Sequence, residues 1–165
     1  MSETPIDITA IEAERARLQA RYITPGRPRT PARGIHHAAF ICSDVEQTIK
    51  FYQGLLEFPL TEIFGNRDYQ GSSHFFFDVG NGNLLAFFDF PGLDLGPYSE
   101  TLGNLNHIAI SVPADKWEYL RGKLEAAGVE YHVASRTSIY FKDPDGTRLE
   151  LLADPLGEMY GTKVS

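Results

Sequence analysis

Ile35-His36-His37-Ala38-Ala39-Phe40-Ile41 and Leu105-Asn106-His107-Ile108-Ala109-Ile110-Ser111-Val112 are two apolar, strand-like segments. They align as His37-Ala38-Ala39 over His107-Ile108-Ala109, 70 residues apart. The stretches after them are also alike. Asp44 offers an N-cap to a helix with apolar positions at Val45, Ile49, Tyr52 and Leu56, and Asp115 offers one to a helix through Trp117, Leu120, Leu124 and Ala127, stopped by Gly128. Three strand-like runs come next in each half. They are Leu60 to Phe64, Ser73 to Val79 and Leu84 to Phe90 in the first, and Tyr131 to Val133, Ser138 to Phe141 and Arg148 to Leu152 in the second. Gly82-Asn83-Leu84-Leu85-Ala86 lies over Gly146-Thr147-Arg148-Leu149-Glu150 at an offset of 64. The unit is strand, helix and three strands, written twice: a duplicated supersecondary element and not a solenoid. The fold class is therefore α+β, with two tandem βαβββ modules.

The duplication places chemistry-bearing residues at equivalent positions. Side chains alternate faces along a strand, so His37 and Ala39 share one face and His107, Ala109 and Ser111 another. Symmetric pairing of the modules would bring His37 and His107 together, with Glu150 contributed by the last strand. Glu150 lies within Leu149-Glu150-Leu151-Leu152, and a carboxylate in such a run needs a cation or hydrogen-bond donors. Two imidazoles and a carboxylate on rigid strands suit one divalent metal with open positions for substrate. His36 is expected on the opposite strand face. His132, on the second module's second strand, is a candidate donor behind the ligands.

The 165 residues hold 15 Lys and Arg against 22 Asp and Glu, for a net charge of −7, which disfavours nucleic-acid and anionic-membrane partners. One cysteine, Cys42, excludes an intramolecular disulfide framework and a cysteine-based zinc ribbon. No apolar run approaches the ~20 residues that span a bilayer. The N-terminus lacks the order of a signal peptide, so a soluble, cytoplasmic domain is expected. Residues 1–33 carry a net +2, leaving −9 for the rest, and form a separate arm. A surface helix is predicted from Ile8 to Tyr22, followed by an extended connector containing Pro25, Pro28 and Pro31. The expected layout is arm 1–33, main domain 34–155 (modules 34–92 and 103–155, linker 93–102) and tail 156–165.

On these segments, with Phe51-Tyr52-Gln53-Gly54-Leu55-Leu56-Glu57-Phe58 and Tyr140-Phe141-Lys142-Asp143-Pro144-Asp145-Gly146-Thr147-Arg148-Leu149-Glu150, the chain resembles the vicinal oxygen chelate superfamily. That family includes glyoxalase I, type I extradiol dioxygenases, methylmalonyl-CoA epimerase, fosfomycin-resistance thiol transferases and metal-free bleomycin-resistance proteins. The resemblance implies a cupped mixed-sheet cleft and metal ligands at His37, His107 and Glu150. The family's fourth ligand position falls on Ala86, unlike glyoxalase I and the epimerases, and Ala39 replaces a threonine of the fosfomycin transferases.

The reaction the resemblance favours is extradiol-type dioxygenation of a catechol-like substrate at Fe(II). His74, which overlays Ser138, would be its acid/base and Tyr140 would hydrogen-bond the substrate oxygen. Phe76, Phe88, Arg148 and Ser138 would line the substrate site. The alternatives are a glyoxalase-like lyase or isomerase, or a thiol transferase, using Mn(II), Zn(II) or Ni(II), and a metal-free drug-binding protein. The expected partners are a small-molecule substrate and a second copy of the chain. The connector Pro91 to Asn104 is long enough for the modules to pair within one chain or to swap between two.

Overall fold

The computed structural model describes residues 7–23, 25–26, 35–93, 96, 105–159 and 162–163. Pro28, Pro31 and most of the 93–102 linker lie outside them. The chain divides into two compact units, Met1–Gly34 and Ile35–Ser165. In the first, α1 spans Ile8–Tyr22, and Asp7 caps it by accepting a hydrogen bond from the Ala10 amide at 2.9 Å. Glu12–Arg15 and Glu14–Arg17 pair one turn apart on its surface.

The second unit contains the repeat. Its first half is β1 (His37–Ile41), α2 (Val45–Ile49, continued by a π-helical turn over Lys50–Leu55), β2 (Leu60–Gly65), β3 (Ser73–Asp78) and β4 (Leu84–Phe88). The second half is β5 (Ile108–Ser111), α3 (Ala114–Ala126), β6 (Tyr131–Val133), β7 (Ser138–Lys142) and β8 (Arg148–Leu152). A short hairpin of β9 (Glu158–Met159) and β10 (Thr162–Lys163) comes last. Asp44 caps α2 through the Gln47 amide at 2.8 Å, as its position suggests. Asp115 does not cap α3: the helix starts one residue earlier, behind Pro113, whose fixed φ suits a helix start, and Asp115 falls in the first turn. β5 is shorter than its apolar run, which leaves Asn106 and His107 just before it. Among the described residues no helix is long and apolar enough to cross a membrane.

The modules form two four-stranded sheets, ordered β1-β4-β3-β2 and β5-β8-β7-β6, with the first strand of each module at one edge. The registers repeat. Ala39 faces Ala86 as Ala109 faces Glu150, Phe76 faces Ala86 as Tyr140 faces Glu150, and His74 faces Phe88 as Ser138 faces Leu152. Alternate residues build the core. Phe75, Phe77, Leu85 and Phe87 pack under Tyr52 and Leu56, while Ile139, Phe141, Leu149 and Leu151 pack under Trp117, Leu120 and Leu124. One continuous cluster includes both sets, and the rings of Phe51 and Phe141 meet at 6.2 Å between the modules. The opposite face of each sheet carries His74, Phe76 and Phe88 in the first module and Ser138, Tyr140 and Glu150 in the second.

Candidate metal centre

On the second sheet, β8 carries Glu150 between Leu149 and Leu151, which point into the core. The carboxylate is only 7% exposed. Its two oxygens have different partners. Oε1 accepts a short hydrogen bond from the Ser138 hydroxyl of β7, and Oε2 lies 3.2 Å from His107 Nε2. On the far side of the imidazole, His107 Nδ1 lies 2.7 Å from Asn106 Oδ1. An amide oxygen only accepts, so that contact puts the ring proton on Nδ1 and leaves a lone pair on Nε2 in the neutral ring. In that neutral ring Nε2 and Oε2 are two lone-pair donors facing each other, a contact that either a proton on Nε2 or a metal ion satisfies. Two ligands at about 2.1 Å from a metal and at right angles to each other lie about 3.0 Å apart, close to the spacing here. The donor set fits a divalent metal.

Tyr140 and Arg148 share this face. The Tyr140 ring meets His107 edge-on at 5.1 Å, and the Arg148 guanidinium carbon lies 4.5 Å from the centre of the Tyr140 ring. His132 stands opposite Tyr140 across β6 and β7 but is exposed, and among the described residues it makes no hydrogen bond to Glu150 or His107. Ser138 is 3% exposed and turned to Glu150, so it supports the carboxylate rather than lining open space.

The equivalent face of the first sheet is aromatic. His37 meets Phe76 at 6.0 Å, Phe76 meets His74 at 4.3 Å, and His74 stacks on Phe88 at 3.9 Å. Phe64 closes against His74 at 5.2 Å. His74 Nε2 is buried and, among the described residues, has no hydrogen-bond partner. Burial first, and then nearby His37, hold this imidazole below the ordinary histidine range. His37 Nδ1 lies 2.9 Å from His36 Nδ1, so His36 folds back to its neighbour instead of taking the opposite strand face.

Within one chain the three sequence-predicted ligands do not meet. Among the described residues no three His, Cys, Asp or Glu side chains are grouped to hold a metal. An apolar groove of about 600 Å³ is lined by Ala38 of β1 and Leu85 of β4 together with Ile108 and Ile110 of β5. Glu150 and His107 are therefore together, and His37 is not with them.

The sequence model that describes the Glyoxalase/Bleomycin resistance protein/Dioxygenase superfamily matches residues 34–151. The chain belongs to this superfamily. MhqA of Bacillus subtilis (strain 168), named as a ring-cleaving dioxygenase, is 30% identical over 139 residues, which cover 79% of this chain and 43% of MhqA. The chain thus spans less than half of that relative. The metallothiol transferase FosB of Lysinibacillus sphaericus (strain C3-41) is 33% identical over 125 residues, 70% of this chain and 79% of FosB. A point mutant of the fosfomycin resistance protein FosX from Listeria monocytogenes, in complex with Mn(II) and 1S,2S-dihydroxypropylphosphonic acid, superposes with a TM-score of 0.55 at 26% identity. That match covers 75% of this chain and 94% of FosX.

Membership in the superfamily accounts for the repeated registers. Asn106 was missed in the sequence because an asparagine beside a strand histidine has no signal of its own; only its overlay on His36, at the same offset of 70, marks it.

Proposed function

We propose that this chain is a divalent-metal-dependent enzyme, with extradiol-type ring cleavage of a catechol-like substrate as its reaction. The observation that carries the reading is the convergence of His107 Nε2 and Glu150 Oε2, each oriented from behind by its own hydrogen bond. His37 completes the ligand set. Because no such trio forms within one chain among the described residues, a second copy supplies it, and the enzyme is a homodimer with two shared sites. Fe(II) is the favoured metal; when bound, it would supply open coordination positions for substrate and dioxygen and a path for electrons from the catechol, which is the reductant, to dioxygen.

The residues around the ligands divide the remaining work. Phe76 and Phe88 present flat apolar surface to an aromatic ring, and Tyr140 orients a substrate oxygen. His74, whose charged form burial disfavours, accepts a substrate hydroxyl proton at Nε2 and returns it later. A thiol-transferase reading with Mn(II) is favoured by one feature, Arg148 on the Glu150 face, where a cation could receive a phosphonate-like anion. Oxygen uptake with catechols, against thiol consumption, separates the two. Neither reaction, with no bound metal in the purified protein, would favour the metal-free binder. His74→Ala is expected to lower kcat about 100-fold or more with a smaller change in KM, and unchanged turnover would remove the proton-transfer role.

The shared site has its own test. His37→Ala and Glu150→Ala chains are each expected to be inactive. Mixed after joint refolding, they should recover roughly a quarter of parental sites, since only a heterodimer rebuilds one complete ligand set. No recovery would place all three ligands in one chain.

A further inference from the structure

The two repeats carry the same contact behind each first-strand histidine, built from different side chains. His107 Nδ1 lies 2.7 Å from Asn106 Oδ1, and His37 Nδ1 lies 2.9 Å from His36 Nδ1. Residues 36 and 106 are equivalent at the offset of 70, as are 37 and 107. Regular strand alternation would send neighbouring side chains to opposite faces. Both 36 and 106 precede the ladder, which begins at His37 in β1 and at Ile108 in β5, so the backbone there can turn the side chain back. Both are also exposed, so packing does not hold them in place.

We propose that His36 and Asn106 are matched positioning residues, each accepting the Nδ1 proton of the next histidine so that Nε2 remains the ligand atom. The proposal rests on the metal-centre reading. A neutral imidazole has one ring proton, and the partner of one nitrogen decides which nitrogen keeps it. Asn106 Oδ1 can only accept, which fixes His107 with its proton on Nδ1. His36 does the same for His37 by offering its own Nδ1 lone pair while keeping its proton on Nε2. Without these acceptors water serves either nitrogen, and the Nε2–H tautomer, the commoner one in free histidine, places a proton where the metal would bind. An amide and an imidazole have little in common in shape. What they share here is an acceptor atom at the same place in each repeat.

The test uses four variants of the full chain. His36→Leu and Asn106→Leu delete the acceptor; His36→Asn and Asn106→His give each repeat the other's acceptor. The first readout is the imidazole ¹⁵N spectrum of metal-free protein at a pH where the rings are neutral. His37 and His107 should be Nδ1–H in the parent and in both exchange variants, and each Leu variant should move its own histidine toward Nε2–H. The second is Mn(II) affinity from the electron paramagnetic resonance signal of free Mn(II). It is expected to weaken about 10- to 100-fold in each Leu variant and to stay near parental in the exchange variants. Unchanged tautomers in the Leu variants, or exchange variants no better than Leu, would overturn the proposal. If the parent binds no Mn(II), the metal-centre reading falls, and the tautomer spectra still decide whether residues 36 and 106 set the rings.

Discussion

Glu150→Gln is expected to abolish tight divalent-metal binding and to lower turnover on the order of a thousandfold or more, while leaving the fold intact. A bound divalent ion supplies several kcal/mol of charge stabilisation, and each ~1.4 kcal/mol is tenfold in rate. The glutamine amide is close in shape to the carboxylate. Its oxygen can still accept from Ser138, and its NH₂ can donate to the lone pair on His107 Nε2. The metal-free variant therefore keeps its hydrogen bonds and no longer buries a charge among Leu149, Leu151 and Leu152, so its stability should lie within about 1 kcal/mol of the parent or above it. Metal should separate the two proteins. A ligand at a hundred times its Kd stabilises the native state by about 2.7 kcal/mol, so Mn(II) should raise the melting temperature of the parent and leave that of the variant unmoved. A variant that melts well below the metal-free parent would mark Glu150 as a packing carboxylate, and equal metal shifts would remove it from the ligand set.

Much of this site was legible in the repeat. The offsets of 70 and 64 placed Ala39, Ala86 and Phe76 over Ala109, Glu150 and Tyr140, and the strand registers pair them in that order. Period-two alternation then put His74, Phe76 and Phe88 on one face of the first sheet, and Ser138, Tyr140 and Glu150 on one face of the second. Alternation stops being a guide where the ladder stops. His36 and Asn106 lie just outside it, and their side chains turn to the next residue. Ser138 was placed on the right face, but nothing local distinguishes a hydroxyl turned to a carboxylate from one turned to substrate. The separation of His37 from His107 depends on how the modules pack, and the contacts that decide it join residues far apart along the chain. Tyr52 to Asp143 spans 91 residues and Ser43 to Asp145 spans 102.

The first of those contacts leads to a large stability effect. Tyr52 is 1% exposed, packed against Phe77 at 5.1 Å and Phe87 at 4.9 Å, and its hydroxyl donates to Asp143 Oδ2 at 2.9 Å. The other carboxylate oxygen accepts from the amides of Thr147 at 2.7 Å and Asp145 at 3.1 Å. One buried carboxylate thus ties the helix of the first module to the last hairpin of the second. Asp143→Ala leaves all three donors without it and is expected to cost roughly 3–5 kcal/mol, a large share of the 5–15 kcal/mol typical of a domain. Tyr52→Phe removes a single bond to a charged group, for about 1.5–3 kcal/mol. Asp143→Asn should cost less than alanine, because its oxygen keeps both amides and its NH₂ can donate to the Tyr52 hydroxyl.

The pH dependence has a definite sign. Burial, the largest influence, raises the Asp143 carboxyl above its ordinary value in the folded protein, although Tyr52 and the amides pull it back. Its stabilising contribution is then full below the unfolded value and declines as pH rises through the folded one. Relative to Asp143→Asn, which cannot ionise there, the parent should lose stability as pH rises across the carboxylate range and then level off. Urea midpoints for the two proteins, measured at matched pH values, read this difference directly. A parent that instead gains on the variant over that range would show that Tyr52, Thr147 and Asp145 hold the ionised carboxylate more strongly than burial opposes it.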